Sequence, residues 1–258
     1  MEKLSVVIAA KNEERNIRAC LESVKWADEI IIMDDLSSDR TAAIAREYTA
    51  KVFTNDTRGD FHINKNLGIE KASNEWILSL DADEIISGEL AAEIRAAYSQ
   101  NMLGYRLNRR NYFLGQWIKG CGWYPDRIIR LFRKGSARWY LGAEGVHKTP
   151  QIADKSRVGI LRNDFLHYSY YSLGQYFEKF NHYTSLVAKE FDAKRVNISG
   201  LNFPIHFCLR PLLLFFKKYV LLSGWKDGMR GFFISLSSGL VEFVSLCKLW
   251  ELRNNDKT

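Results

Sequence analysis

Leu4-Ser5-Val6-Val7-Ile8-Ala9-Ala10, followed at once by Lys11-Asn12-Glu13-Glu14, decides how the rest of the chain is read. An almost unbroken apolar run of this length reads as a strand buried on both faces. Ile17, Leu21 and Val24 then recur at helical spacing. Residues 29–33 (Glu29-Ile30-Ile31-Ile32-Met33) make a second buried strand that ends on Asp34-Asp35. Ser37-Ser38-Asp39-Arg40-Thr41 opens another helix with N-cap chemistry. Residues 51–53 give a short third strand, and residues 75–80 a fourth that ends on Asp81-Ala82-Asp83-Glu84. Strands alternating with helices over the first hundred residues predict an open, mostly parallel α/β sheet. In such sheets ligands bind outside the carboxyl ends of the strands, and both acidic clusters fall there.

Working outward, the pattern loosens. Gly104-Tyr105-Arg106-Leu107 and residues 127–132 read as strands flanking an aromatic loop from Tyr112 to Trp123. Residues 171–195 read as helix. Residues 203–250 hold two apolar stretches, 211–222 and 232–247, interrupted by Lys217-Lys218 and by Gly224-Trp225-Lys226-Asp227-Gly228. The expected organisation is a domain over residues 1–200, with a donor half (1–100) and an acceptor or catalytic half (101–200). A helical segment, 201–258, follows. There is no internal repeat and no low-complexity linker.

Composition excludes other classes. With 47% apolar and 26% charged residues over 258 positions, the chain is no disordered, collagen-like or polytopic membrane protein. Four cysteines without a Cys-x-x-Cys pair argue against a zinc cluster or disulfide framework and for a reducing compartment. The apolar run between Lys3 and Lys11 suits a core strand and is short for a cleavable signal. The net charge of +7 is unevenly spread. Residues 1–100 carry 12 Lys/Arg against 19 Asp/Glu, whereas residues 101–170 carry 13 against 4. A basic band of this kind suits phosphorylated substrates, nucleic acid or anionic lipid.

Two carboxylates in a short loop at a strand end, Asp81 and Asp83, suit a hard divalent cation such as Mg²⁺ or Mn²⁺, which often bridges to substrate phosphates. Asp34-Asp35 and Lys11-Asn12-Glu13 end neighbouring strands, so three polar sets converge as a nucleotide and its metal would need. Ser5 to Glu14, Asp34-Asp35-Leu36-Ser37-Ser38-Asp39-Arg40-Thr41, Leu80-Asp81-Ala82-Asp83-Glu84 and Lys65-Asn66 with Gly68 together resemble the family 2 inverting glycosyltransferases. The resemblance implies a GT-A nucleotide-sugar-binding fold, helices on both faces of the sheet. It further implies that Ala10, Asn12, Glu13, Asp34 and Asp35 line the nucleoside pocket, with Lys65 and Asn66 also on the donor side. Asp81 would approach the ribose or the metal, and Asp83 would hold the metal.

Trp117-Ile118, Gly122-Trp123-Tyr124-Pro125-Asp126-Arg127, Arg130-Leu131-Phe132-Arg133 and Val146-His147 resemble the lipopolysaccharide-core β-glucosyltransferase branch. So does the tail, with Gly224, Asp227-Gly228, Gly231 and Lys248-Leu249-Trp250-Glu251. That branch reads Val-His-Glu where this chain has Val146-His147-Lys148, so the acidic residue expected as base is missing. Inversion needs a general base for the acceptor hydroxyl. Glu144 is the first candidate and Asp126 the second, unless Asp126 is merely a turn residue paired to Arg127 or Arg130. His147 is a candidate metal ligand or diphosphate contact. Arg127 and Arg130 are candidate phosphate contacts, since guanidinium forks suit diphosphate oxygens. On a strand Arg127 and Arg133 share one face and Arg130 takes the other.

Neither tail stretch reads as a membrane span, because charges interrupt both. Apolar faces punctuated by Lys, Arg and Trp read instead as amphipathic helices in a membrane interface, with Phe215, Phe216, Leu221, Leu222 and Trp225 for lipid and Arg210, Lys217, Lys218, Lys226 and Arg230 for headgroups, or as a helical pair covering the core, and the two readings are compatible. The expected function is transfer of a hexose, glucose first, from a UDP-sugar to a glycolipid such as a lipopolysaccharide inner core. The expected location is the cytoplasmic face of the inner membrane, with peripheral attachment through residues 203–250 and no nucleic-acid partner. A family 2 transferase acting on another lipid-linked or cell-surface glycan is the nearest alternative. A nucleotidyltransferase would carry a glycine-rich loop after the first strand, and residues 9–16 hold no glycine. A basic binding protein sits poorly with an acidic first hundred residues.

Overall fold

The computed structural model describes residues 2–98, 101–140, 149–198, 200 and 202–255. They form two compact units. The first comprises residues 1–110 and 126–167, the second residues 111–125 and 168–258. The boundary expected at residue 200 therefore falls inside the second unit, because the helix of residues 173–193 packs with the tail.

In the first unit, β1 (Leu4–Ala10), β2 (Glu29–Asp34), β3 (Val52–Thr54) and β4 (Trp76–Asp81) pair in parallel in the order β3-β2-β1-β4. Beyond β4 the sheet changes character. β5 (Glu84–Ile86), β6 (Gly104–Phe113), β8 (Asp126–Arg133) and β11 (Val158–Tyr170) continue it in the order β8-β6-β11-β5, while β9 (Ala137–Arg138) and β10 (Gln151–Ile152) form a separate antiparallel pair. β8 runs antiparallel to β4 and to β6, and β5 antiparallel to β11. Parallel pairing thus belongs to the first four strands, where helical crossovers make it possible.

The period-2 alternation of a strand sorts β1 between two cores. Leu4, Val6, Ile8 and Ala10 pack with α1 (Ile17–Val24) and α4 (Gly88–Ala96) on one face. Val7 packs with Ile69 of α3 (Phe61–Lys71) on the other. Gly68 permits that second contact, since a Cβ there would lie 2.3 Å from Val7 Cγ1. Helices on both faces are as expected. α2 (Thr41–Arg46) begins where expected too, although Asp39 supplies the capping oxygen, 2.9 Å from the Thr41 amide.

In the second unit, residues 111–125 form a hairpin in which β7 (Gln116–Trp117) turns back on the end of β6 through Leu114 and Gly115, both at positive φ. α5 (Leu173–Ala193) packs on α8 (Gly228–Asn255). Between them runs α6 (Asn202–Pro204), a π-helical turn (Ile205–Leu209), α7 (Arg210–Phe216) and a second π-helical turn (Lys217–Leu221). Asp227 is buried and accepts from the backbone amides of Lys119 (3.0 Å) and Gly120 (2.7 Å). The Cys121 amide donates to Leu222 O at 2.9 Å, and Arg230 reaches Leu114 O and Gln116. The Gly224…Asp227…Gly231 motif is therefore a clamp on the aromatic hairpin.

Residues Gly224–Asn254 are long and apolar enough to cross a membrane by length and composition. α8 includes Glu242, whose carboxylate meets Arg210 at 3.3 Å.

Candidate active site

The site is built where β1, β2 and β4 end. Asn12 sits just past β1 with φ 53°, a left-handed conformation asparagine tolerates. Its backbone amide donates to Ser37 Oγ at 2.9 Å, and its Oδ1 accepts from the Ser38 amide at 2.8 Å. The Glu13 amide donates to Thr41 Oγ1 at 2.7 Å. These bonds lace the loop after β1 to the loop after β2. Ala10, buried at the strand end, takes the Asp35 amide on its carbonyl at 2.9 Å.

Both carboxylates of the pair after β2 are buried, with different surroundings. Asp35 is satisfied by the Thr57 amide (2.8 Å) and Lys11 Nζ (2.9 Å). Burial alone would raise its carboxyl; the hydrogen bonds from Thr57 and Lys11 prevail and hold it below the ordinary range. Asp34 accepts from the Ser37 amide on Oδ2, while its buried Oδ1 has no hydrogen-bond partner.

At the end of β4 a charge network takes over. Asp81 Oδ1 meets Lys65 Nζ at 2.7 Å, and Oδ2 meets Arg130 Nη2 at 2.6 Å. The same Arg130 nitrogen lies 2.5 Å from Oε1 of Glu84, which is fully buried and also accepts the Asp81 amide. Arg130 is itself 1% exposed. Burial disfavours its charge, but Asp81 and Glu84 outweigh that and raise its pKa. Burial likewise pushes Asp81 up, and Arg130 and Lys65 overcome it, holding the carboxyl well below its usual range. Lys65 is lowered by burial, an effect Asp81 partly offsets. Lys65 and Arg130 both lie over the indole of Trp139, at 4.1 and 5.5 Å from the ring centroid.

Asp83 stands apart from this network. Its Oδ2 is 3.4 Å from Nε2 of His167. The pairing of β5 with β11 brings them together, His167 lying opposite Glu84. Asp126 opposes Arg109 across β6 and β8 and receives Nε and Nη2 on one oxygen, at 3.0 and 2.6 Å.

Several expectations change. Arg130, expected as a diphosphate contact, is buried, and its Nη2 is shared by Asp81 and Glu84. Asp126 pairs with Arg109. Asn66 spends its side-chain amide on the backbone of Trp139, donating at 2.9 Å and accepting at 3.0 Å, so it shapes the pocket wall. Arg127 is exposed at the carboxyl-end side of the sheet, while Arg133 pairs with Glu2 and Glu75 at the other end. Glu144, His147 and Lys148 lie outside the described residues. Sequence reasoning missed Glu84 as a network member, and Arg109, Trp139 and His167 altogether. Arg130 is the distant partner that joins Glu84 and Trp139 to the site, and Asp126 and Asp83 are those of Arg109 and His167.

Residues 5–134 match the model of glycosyl transferase family 2. Over 96% of this chain and 92% of the relative, the sequence is 29% identical to the lipopolysaccharide core biosynthesis glycosyltransferase LpsC of Rhizobium meliloti. An uncharacterized glycosyltransferase of Rickettsia typhi is 28% identical over 98% of this chain and 88% of its own. Among solved structures, glucosyl-3-phosphoglycerate synthase of Mycobacterium tuberculosis, crystallised with Mn²⁺ and UDP-glucose, overlaps 42% of this chain and 44% of its own. The TM-score is 0.37 at 21% identity, and nothing about this chain's ligands follows from it. With half its length matched by the family model, and strand-end motifs in place, the chain belongs to glycosyl transferase family 2 and is a glycosyltransferase.

Proposed function

We propose that the enzyme transfers a hexose, glucose in the first instance, from a UDP-sugar to a membrane-bound glycolipid of the lipopolysaccharide-core type, with inversion at the anomeric carbon. What carries the acceptor side of this reading is the likeness to a core-biosynthesis transferase along 96% of the chain. Such a likeness takes in the acceptor half as well as the nucleotide half. The donor side is supported by Asp34 Oδ1, a buried acceptor without a donor. It suits the imide N–H of a uracil base, and leaving it unmade is costly.

The residues present fit a divalent metal. Asp83 and His167 offer a carboxylate oxygen and an imidazole nitrogen 3.4 Å apart. Asp81 fits less well, because Lys65 and Arg130 occupy its two oxygens. Among the described residues no cluster of three or more His, Cys, Asp or Glu side chains forms a complete cage. The remaining ligands would come from diphosphate and water, as Mg²⁺ and Mn²⁺ often arrange. When bound, the ion acts as a Lewis acid that neutralises charge on the leaving diphosphate.

The chain's own residues would do the rest. The lacing of Asn12 and Glu13 to Ser37, Ser38 and Thr41 holds the nucleoside pocket in shape before the donor arrives. Lys65 and Arg130 keep Asp81 ionised and oriented towards the ribose. Arg127, exposed on the same side, would meet diphosphate oxygens. Glu144 would accept the acceptor's hydroxyl proton, with Asp126 as the alternative. Because UDP-sugars are cytosolic and the acceptor is lipid-anchored, the reaction would run at the cytoplasmic membrane surface.

The deciding experiment supplies UDP-glucose, other UDP-hexoses, Mn²⁺ and a truncated core glycolipid, and measures both UDP release and product mass. Acceptor-dependent UDP release with a product heavier by one hexose supports the reading. No acceptor-dependent release from any UDP-hexose would overturn it.

A further inference from the structure

The helical run from residue 202 to residue 221 has two unlike faces. The inward face packs on α8. Phe215 and Tyr219 meet Phe232, Phe207 meets Phe243, and Arg210 pairs with Glu242. Leu209, Leu212, Phe216 and Val220, three or four residues apart, form the other face and are all more than half exposed. The stripe continues through Leu221, the last residue of the run, to Trp225 and to Met229 at the start of α8, with Leu221 and Met229 exposed to 77% and 79%. Soluble monomers rarely expose apolar surface this continuous unless it binds something.

Charge identifies the occupant. From residue 201 to residue 226 there is no Asp or Glu, while four Lys or Arg occur. Arg210 and Lys218 are engaged within the protein, with Glu242 and with the Cys121 carbonyl. Lys217 and Lys226 stay exposed beside the stripe, and Lys226 lies 5.4 Å from the Trp225 ring. An apolar stripe bordered by exposed lysines and a tryptophan, without an acidic residue, complements an anionic bilayer interface.

We infer that the face formed by Leu209, Leu212, Phe216, Val220, Leu221 and Trp225 inserts into one leaflet of an anionic membrane, and that α8 does not cross it. α8 serves as the scaffold: α5 and α7 pack on it, and Ser235 and Ser237 are buried along it. This deepens the membrane part of the function proposed above but rests on the tail alone. It narrows the expected contact set. Phe215 points inward, and Arg230 is spent on the hairpin at Leu114 and Gln116. Insertion, not charge, is therefore the main attachment.

The test is sedimentation with vesicles of phosphatidylcholine and phosphatidylglycerol. The full chain should stay bound in high salt, which screens charge but not apolar contact, and should be released by alkaline carbonate. Phe216→Asp with Leu221→Asp changes two exposed positions, so the fold should survive, as circular dichroism would verify. Vesicle affinity should fall on the order of tenfold or more. Lys217→Glu with Lys226→Glu should weaken binding less. Undiminished binding by the double aspartate variant, release of the full chain by salt alone, or retention through carbonate would each overturn the inference. So would a lipid-free dimer that the aspartates dissolve and that ignores vesicles. Hydrolysis of UDP-glucose by the same variants reports separately on the proposed function, and should not change.

Discussion

His167 Nε2 faces Asp83 Oδ2 across 3.4 Å, held there by antiparallel pairing between β5 and β11. An imidazole beside a carboxylate suits later first-row metals better than a set of oxygens alone would. Mn²⁺ should accordingly bind more tightly than Mg²⁺ in the presence of UDP. His167→Ala should lower Mn²⁺ affinity by about 10- to 100-fold or more and narrow the Mn²⁺ preference. Titration of Mn²⁺ by electron paramagnetic resonance, with UDP present, reads this without turnover. Unchanged Mn²⁺ affinity in the variant would remove His167 from the site.

The Arg130 network makes a stability prediction. Arg130→Met leaves Glu84 buried, with Arg109 at 3.7 Å and Lys65 as the cations that act on it among the described residues, and breaking a buried ion pair from one side costs about 3–5 kcal/mol. Adding Glu84→Gln removes the stranded charge and should recover part of that loss, a coupling that a double-mutant cycle in urea would measure. If the two losses simply add, the shared nitrogen is not what joins these residues.

These two cases show what could be read in advance. β1, β2 and β4 are visible because each is a continuous apolar run, and the carboxylates that follow them inherit a predictable place at the sheet edge. Asp34, Asp35, Asp81 and Asp83 were found that way. β11 carries Gly159, Asn163 and Asp164 among its apolar residues, so neither the strand nor His167 stands out. Arg130 looked like a phosphate contact because guanidinium chemistry is legible in sequence and burial is not. The tail was read as amphipathic from its Lys and Trp interruptions. Which residues face outward depended on α8 supplying a partner for Phe215 and Arg210.

Asp227 makes a local prediction in the second unit. Its carboxylate accepts both the Lys119 and Gly120 amides, and hydrogen bonds to a charged group contribute about 1.5–3 kcal/mol each. Asp227→Ala should loosen the hairpin, so that trypsin cuts after the exposed Lys119 much faster than in the unaltered chain. Asp227→Asn, which keeps one acceptor, should fall between. Equal cutting rates in all three proteins would show that the hairpin holds itself.

Acid should unfold the protein along a particular route. Burial pushes the Glu29 carboxyl up, but hydrogen bonds from Lys51, Ser5 and Ser73 outweigh it and bring the pKa from 4.5 down to about 2. A carboxyl lowered by folding contributes stability that is complete above its unfolded value and is lost as pH falls through its folded value. Glu29 therefore stabilises the fold fully above about pH 4.5 and progressively less down to about pH 2, with Asp35 acting in the same direction. Glu29→Gln should lower stability at neutral pH and flatten its decline over that window in denaturant titrations. A decline as steep as that of the unaltered chain would assign the acid limb to other carboxylates.

The base assignment carries the last prediction. The carboxylate that the resembling branch places after Val-His is replaced here by Lys148, so the proton must go elsewhere. Glu144 lies four residues earlier in the chain, and Asp126 already receives two Arg109 bonds on one oxygen. Glu144→Gln keeps the shape but cannot take the proton, and losing a positioned base costs about 10²–10⁴-fold in the chemical step. UDP affinity, which needs no base, should be unchanged. Asp126→Asn should act differently: it weakens the strut between β6 and β8, so heat stability should fall together with activity. If instead Asp126→Asn abolishes turnover at full stability while Glu144→Gln remains active, Asp126 is the base and Arg109 is the group that orients it.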